Sequence, residues 1–121
     1  DVQGNLLMLF LKDKTLIKSY NQGQAFYSTT KPGIIRGNHL HFNKIERFVV
    51  IKGKAIISFR KLFSKKIIKF KVNGNTPTAI DIPTYYTHSI KNIGSDDLIT
   101  LFWSNDIFDK NNSDTYYESL V

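Results

Sequence analysis

The sequence predicts an all-β domain, a sandwich or closed barrel of short strands. Three observations lead there. Apolar, β-branched and aromatic runs of strand length recur along the chain, Gly, Pro or Asn punctuates them, and no stretch repeats its apolar residues at the helical period. A chain of 121 residues encloses one core, and 41% hydrophobic with 13% aromatic content suffices to fill it, which excludes a disordered segment. Residues 1–121 are therefore read as a single domain.

Taken in order, Asp1 to Asn5 reads as a turn, and Leu6 to Leu11 as a buried strand that stops at Lys12-Asp13-Lys14. Gln24 to Thr30 is the next strand, with Phe26 and Tyr27 on opposite faces. Lys31-Pro32-Gly33 breaks it, because proline presets φ and glycine permits a tight bend. Gly33 to Gly53 then reads as two short strands around a reversal at Asn43-Lys44, the second carrying the run Phe48 to Ile51 behind Glu46. Lys52-Gly53 fits a hairpin turn into Ala55 to Arg60, which pairs with Lys66 to Val72. After Asn73-Gly74-Asn75 come Thr78 to Ile82, a bend at Pro83 to Tyr86, and the strand His88 to Asn92. Gly94 to Asp97 turns into a last apolar strand, Asp97 to Trp103, and a polar tail ends near Tyr116-Tyr117.

Seventeen basic residues against ten acidic give a net charge of +7, a balance that favours anionic partners. The charge is not arranged as a nucleic-acid stripe. Lys61, Lys65, Lys66, Lys69 and Lys71 crowd one hairpin, and Lys69 and Lys71 alternate with Ile68, Phe70 and Val72 as the wet face of an edge strand does. Nucleic acid, phosphorylated small molecules and membrane surfaces are anionic partners of that kind, while the lysine-rich hairpin reads first as a solvated face that protects a strand edge. Cysteine is absent, which removes disulfides, thiolate metal sites and a cysteine nucleophile. With no bilayer-length apolar run and no signal-peptide pattern, a cytoplasmic protein is expected. The chain opens on Asp1, so further residues are expected upstream.

The chemistry concentrates in the three histidines. His39 and His41 are one residue apart and share a face, and Glu46 opens the returning strand. If His88 arrives from a later strand, three nitrogens and one carboxylate oxygen converge, a ligand set suited to zinc or another divalent transition metal. Arg36 and Lys31 stand beside this segment and suit a diphosphate, since a guanidinium fork matches phosphate oxygens and an ammonium is a point charge. Tyr27 and Trp103 are further candidates for substrate contact.

The spacing Gly33, five residues, His39-x-His41, four residues, Glu46, six residues, Gly53 resembles the first cupin motif. Pro83-x-Tyr85-x-x-His88-x-x-x-Asn92 resembles the second, with Tyr85 where that motif usually has glycine. The resemblance implies a cupin jelly-roll β-barrel. Ser28 to Gly33, Arg36 to His41, Phe59-Arg60, Asp81-Ile82-Pro83, Phe108-Asp109 and Asp114-Thr115-Tyr116 are similar to one enzyme subgroup. It is the C-terminal cupin domain of the bifunctional capsular-polysaccharide enzymes that make UDP-N-acetyl-L-fucosamine. There the cupin domain epimerises carbon 3 of a UDP-4-keto-6-deoxy sugar, and a separate NADPH-dependent domain reduces the ketone. The resemblance implies a nucleotide-sugar substrate, with no nucleic acid and no membrane as partners, and, since this chain has no glycine-rich dinucleotide fingerprint, no NAD(P) on it but a reductase domain or partner in the same pathway.

Such an epimerase removes the acidic proton beside a ketone and returns it from the other face, which requires a stabiliser for the enolate oxygen and a proton carrier. A divalent ion on His39, His41, Glu46 and His88 meets the first need. For the second, Lys44, Tyr86, Tyr27 and Tyr85 are candidates. Related sugar-nucleotide cupins with a similar Arg-Gly-x-His-x-His segment work without metal, and in that case His39 and His41 are themselves acid and base. A 3,4-ketoisomerase of the same substrate class and a non-catalytic sugar-binding cupin remain the alternatives. A homodimer is expected, with Phe63, Phe70 and Trp103 as interface candidates.

Overall fold

The structure, a computed structural model, describes residues 6–10, 23–106 and 109–120. Ten strands lie among them: β1 Leu6–Phe10, β2 Gln24–Thr30, β3 Ile35–Leu40, β4 Glu46–Lys52, β5 Lys54–Lys61, β6 Ile67–Asn73, β7 Ala79–Ile82, β8 Tyr86–Asn92, β9 Leu98–Ser104 and β10 Tyr116–Tyr117. The expected turn at residues 1–5, and Leu11 and Phe108, fall outside the described residues. The other expected strands are present, with ends shifted by one or two positions.

The pairing is nested. β2 pairs with β9, β3 with β8, β4 with β7 and β5 with β6, all antiparallel. A long hairpin paired in this way and rolled up is a jelly roll. It yields two five-stranded sheets, β1-β2-β9-β4-β7 and β10-β3-β8-β5-β6. The all-β expectation therefore holds, but two expected hairpins do not. Neither Asn43-Lys44 nor Lys52-Gly53 reverses the chain within a sheet: β4 lies in the first sheet and both β3 and β5 in the second. Each turn is a corner between sheets. Local turn chemistry permits either geometry, and the decision falls to burial, because β4 between β9 and β7, and β5 between β8 and β6, each turn an apolar face inward.

Register defines that inward face. Phe26, Phe102, Phe48 and Ile80 form one row across the first sheet and point toward the core, where Phe48, Val50, Ile57, Phe59, Ile90 and Leu98 pack together. Each such side chain contributes roughly 1.5–3 kcal/mol by leaving water. The neighbouring row, Ala25, Trp103, Arg47 and Asp81, points outward. Lys69 and Lys71 are exposed on β6, the edge of the second sheet, as their alternation implied. Phe63 is 95% exposed between β5 and β6, and Phe70 is 42% exposed on β6.

Candidate metal centre

β3 and β8 bring the histidines together, and a bulge aims them. Strict alternation would put Arg36 and His39, three residues apart, on opposite faces. Instead the register with β8 shifts between Gly37 and His39, where Gly37 has φ 102° and Asn38 has φ 60°. Both flanking side chains then turn inward, Arg36 opposite Ile90 and His39 opposite His88. Glycine is required here, since a Cβ at residue 37 would sit 2.7 Å from the His88 carbonyl oxygen.

The three imidazoles form a triangle with centroid separations of 4.8 Å (His39 to His88), 5.1 Å (His41 to His88) and 5.3 Å (His39 to His41). Glu46, at the start of β4 in the facing sheet, completes it: its Oε1 contacts His41 Nε2 and lies 3.7 Å from His88 Nε2. One donor atom from each of the four residues lies within 4.8 Å of all the others. His88 and His41 are 1% and 3% exposed.

The ring orientations follow from the outer hydrogen bonds. His41 Nδ1 donates to the carbonyl of Asp114 at 2.7 Å, and His88 Nδ1 to that of Tyr86 at 3.2 Å. A carbonyl only accepts, so in each neutral ring the proton is on Nδ1 and the Nε2 lone pair faces the centre. Apart from the contact of His41 with Glu46, neither buried Nε2 meets a hydrogen-bonding group. Two lone pairs turned on a buried carboxylate repel unless a cation lies among them, so the donor set fits a divalent metal ion.

Ionisation points the same way. Burial, followed by the charge of His88, lowers His39 to about 4, against a smaller opposing pull from Glu46. Burial also lowers His88. For Glu46, burial alone would raise the carboxyl, but the His41 contact together with His88 and Lys44 holds it below the usual range. Neutral rings at His39 and His88 and an ionised Glu46 are the states that bind metal.

A cavity of about 110 Å³ opens beside the cluster, lined in part by Arg36, His39, Glu46, Phe48 and His88. A second hollow of about 240 Å³ shares Arg36, His39 and Glu46 and adds Lys44 and Phe26. Burial lowers the pKa of the Arg36 guanidinium that lines both. Tyr86 heads β8 against Phe59, with ring centroids 5.8 Å apart.

Tyr85 and Tyr86, packed on Phe42 and Phe59, line neither hollow, and three further expected residues are not brought to this place. Tyr27 pairs with Leu101 in an outward-facing row of the first sheet, because the alternation that turns Phe26 inward turns its neighbour away. Trp103 is outward too, beside the ion pair of Arg47 and Asp81. Lys31 follows Thr30, six positions along β2 from Gln24, the residue in register with Glu46 through Ser104. That is roughly 20 Å along the strand. Its ammonium is 3.0 Å from Asp97.

Sequence reasoning assigned no role to Asp114. Its carbonyl meets His41, Oδ1 accepts from the N–H of Phe42 at 3.0 Å, and Oδ2 accepts from those of Asn43 at 2.8 Å and Lys44 at 2.9 Å. An aspartate among Asn and Ser residues of a polar tail carries no local signal of this.

Comparison with known proteins gives the family and the fold. The family described as "Polysaccharide biosynthesis C-terminal domain" matches residues 13–116. UDP-2-acetamido-2,6-beta-L-arabino-hexul-4-ose reductase of Pseudomonas aeruginosa is 37% identical over 101 residues, covering 84% of this chain and 27% of that protein. Capsular polysaccharide assembling protein CapF from Staphylococcus aureus superposes with a TM-score of 0.81 at 39% identity, over 93% of this chain and 34% of that one. Oxalate decarboxylase of Bacillus subtilis has the same fold, with a TM-score of 0.68 at 24% identity over 86% of this chain and 26% of that one. The chain thus spans about a third or less of the length of these relatives.

Proposed function

Because the chain belongs to the polysaccharide biosynthesis C-terminal domain family, we propose that it is the cupin module of a nucleotide-sugar enzyme of capsule synthesis, epimerising carbon 3 of a UDP-4-keto-6-deoxy (N-acetyl)hexose. The observation that carries this reading is the convergence of His39, His41, Glu46 and His88 in a buried cluster beside a cavity that Arg36 lines. The Pseudomonas relative is named for a UDP-linked 4-ulose, the substrate class in which the hydrogen at carbon 3 is acidic.

His39, His41, Glu46 and His88 would hold a divalent ion, zinc being the first choice for this nitrogen-rich set, and it would supply Lewis acidity to the ketone, an effect worth several kcal/mol. The remaining work belongs to the chain. Arg36 offers its guanidinium fork to the diphosphate, and its partly buried setting strengthens that contact. Lys44 Nζ and the Tyr86 phenol are the proton carriers of the proposal, standing on the loop after β3 and at the head of β8. Phe48 and Phe102, stacked at 4.8 Å, keep water from the cavity floor. Reduction of the ketone belongs to another domain or partner, as this chain has no glycine-rich dinucleotide fingerprint.

The test is to incubate the metal-loaded protein in deuterated water with a UDP-4-keto-6-deoxy sugar and follow it by NMR. Deuterium is expected at carbon 3 with the ketone still at carbon 4, and His41→Ala is expected to abolish the uptake. A ketone that migrates to carbon 3 would replace the epimerase by a ketoisomerase. No exchange at all would leave a binding domain.

A further inference from the structure

Asp114 lies 73 residues from His41 in sequence, yet four hydrogen bonds tie it to the segment that leads from β3 to β4. Three are accepted by its carboxylate from the consecutive N–H groups of Phe42, Asn43 and Lys44. The fourth is accepted by its main-chain carbonyl, directly from a ring in the donor cluster. The two functions need one backbone shape. Asp114 holds φ 49°, a left-handed conformation that aspartate tolerates through local hydrogen bonds. The segment that carries it is seated beyond the site: β10 pairs with β3 through Tyr116–Leu40 and Tyr117–His39, and the Glu118 N–H donates to the Asn38 carbonyl at 2.8 Å.

We propose that Asp114 is the positioning residue of the metal centre: its carbonyl aims the Nε2 lone pair of His41 inward while its carboxylate holds Lys44 at the hollow beside it. The inference rests on the reading of the four donors as metal ligands. The consequence is that the C-terminal segment supplies no ligand but sets the state of one. A ring free to take the other tautomer would present an N–H to the cation instead of a lone pair, and a loop without the carboxylate would leave three adjacent backbone donors without their acceptor.

The experiment uses Asp114→Asn, which keeps the size and the tolerance of left-handed φ, and Asp114→Gly, which keeps the backbone freedom and removes the side chain. Nitrogen-15 NMR of the metal-free protein reads the His41 tautomer, and zinc titration against a competing chelator reads affinity. The wild type is expected to show His41 protonated on Nδ1. The variants are expected to mix the two tautomers and to lose about 10–100-fold in zinc affinity, the usual effect of removing a partner outside the ligand shell. An unchanged tautomer together with an unchanged affinity in a folded variant overturns the proposal. So does failure of both variants to fold, because Asp114 would then serve the fold and not the ring. If the wild type takes up no zinc, the metal reading fails, while the tautomer measurement still decides the role of Asp114.

Discussion

Tyr85 adopts a left-handed backbone, φ 66°, and from it donates its N–H to the carbonyl of His41 at 2.8 Å. The second cupin motif usually has glycine at this position, so the backbone shape is kept although the residue is not. What offsets the strain is a ring contact, since the half-exposed Tyr85 packs on Phe42 with centroids 5.3 Å apart. Tyr85→Ala keeps the left-handed strain of about 1–2 kcal/mol and loses a ring contact of about 0.5–1.5 kcal/mol. Tyr85→Gly loses only the contact. Denaturant unfolding should therefore rank the glycine variant above the alanine variant, and the reverse order would show that strain is not what governs the turn.

Gly37 is the harder constraint. A Cβ there meets the His88 carbonyl oxygen at 2.7 Å, and φ is 102°. Gly37→Ala is expected to destabilise by more than about 2 kcal/mol. It should also reduce metal binding in what remains folded, because the bulge is what turns Arg36 and His39 to one side. Alanine tolerated with wild-type zinc stoichiometry would remove that account of the bulge.

Arg36 and Lys31, equivalent in sequence as candidates for the diphosphate, separate in space. Arg36→Ala should raise KM by about tenfold or more, the scale of a lost charge-assisted contact. Lys31→Ala should leave KM unchanged within about twofold, because it breaks only an exposed pair with Asp97. Equal effects of the two substitutions on steady-state kinetics would contradict the placement.

Acid should weaken the metal-free protein. His39 is lowered to about 4 in the folded state from an ordinary 6.5, so between those values the unfolded chain binds a proton that the folded chain does not. Stability then falls as pH drops from about 6.5 to about 4, by as much as about 3 kcal/mol, and this contribution is flat below. His88, also lowered by burial, acts in the same direction. Urea denaturation in the presence of chelator at stepwise pH measures it. A curve that is flat across that window would mean that burial does not hold the imidazoles neutral.

Turning metal to advantage gives the complementary measurement. Saturating zinc should raise the melting temperature, since an ion that binds only the folded chain stabilises by about 2.7 kcal/mol at a hundredfold excess over Kd. His88→Ala should abolish the rise. A variant still stabilised as much as the wild type would show that the ion binds elsewhere.

Most of the strands and the whole donor set were legible along the chain. Period-two alternation and Gly and Pro punctuation are local properties, and the backbone follows them except at the bulge of Gly37-Asn38; the four donors were legible as residue types at a recognisable spacing. The partners of those strands were not legible. Asn43-Lys44 and Lys52-Gly53 carry turn chemistry that suits a hairpin and a corner alike, and only the burial of both apolar faces between two sheets chooses the corner.

By itself, then, the sequence determined an all-β domain, because strand period acts over a few bonds, and it named four candidate ligands by residue type and spacing; that His39 and His88 meet was decided by the pairing of β3 with β8. The tertiary structure alone decided which other residues join them. The bulge at Gly37-Asn38 turned Arg36 in, sheet parity turned Tyr27 and Trp103 out, and strand length carried Lys31 away. Asp114 reached His41 across 73 residues of chain because β10 docks beside β3. Such contacts are set by which faces can be buried together, and that is a property of the packed molecule as a whole.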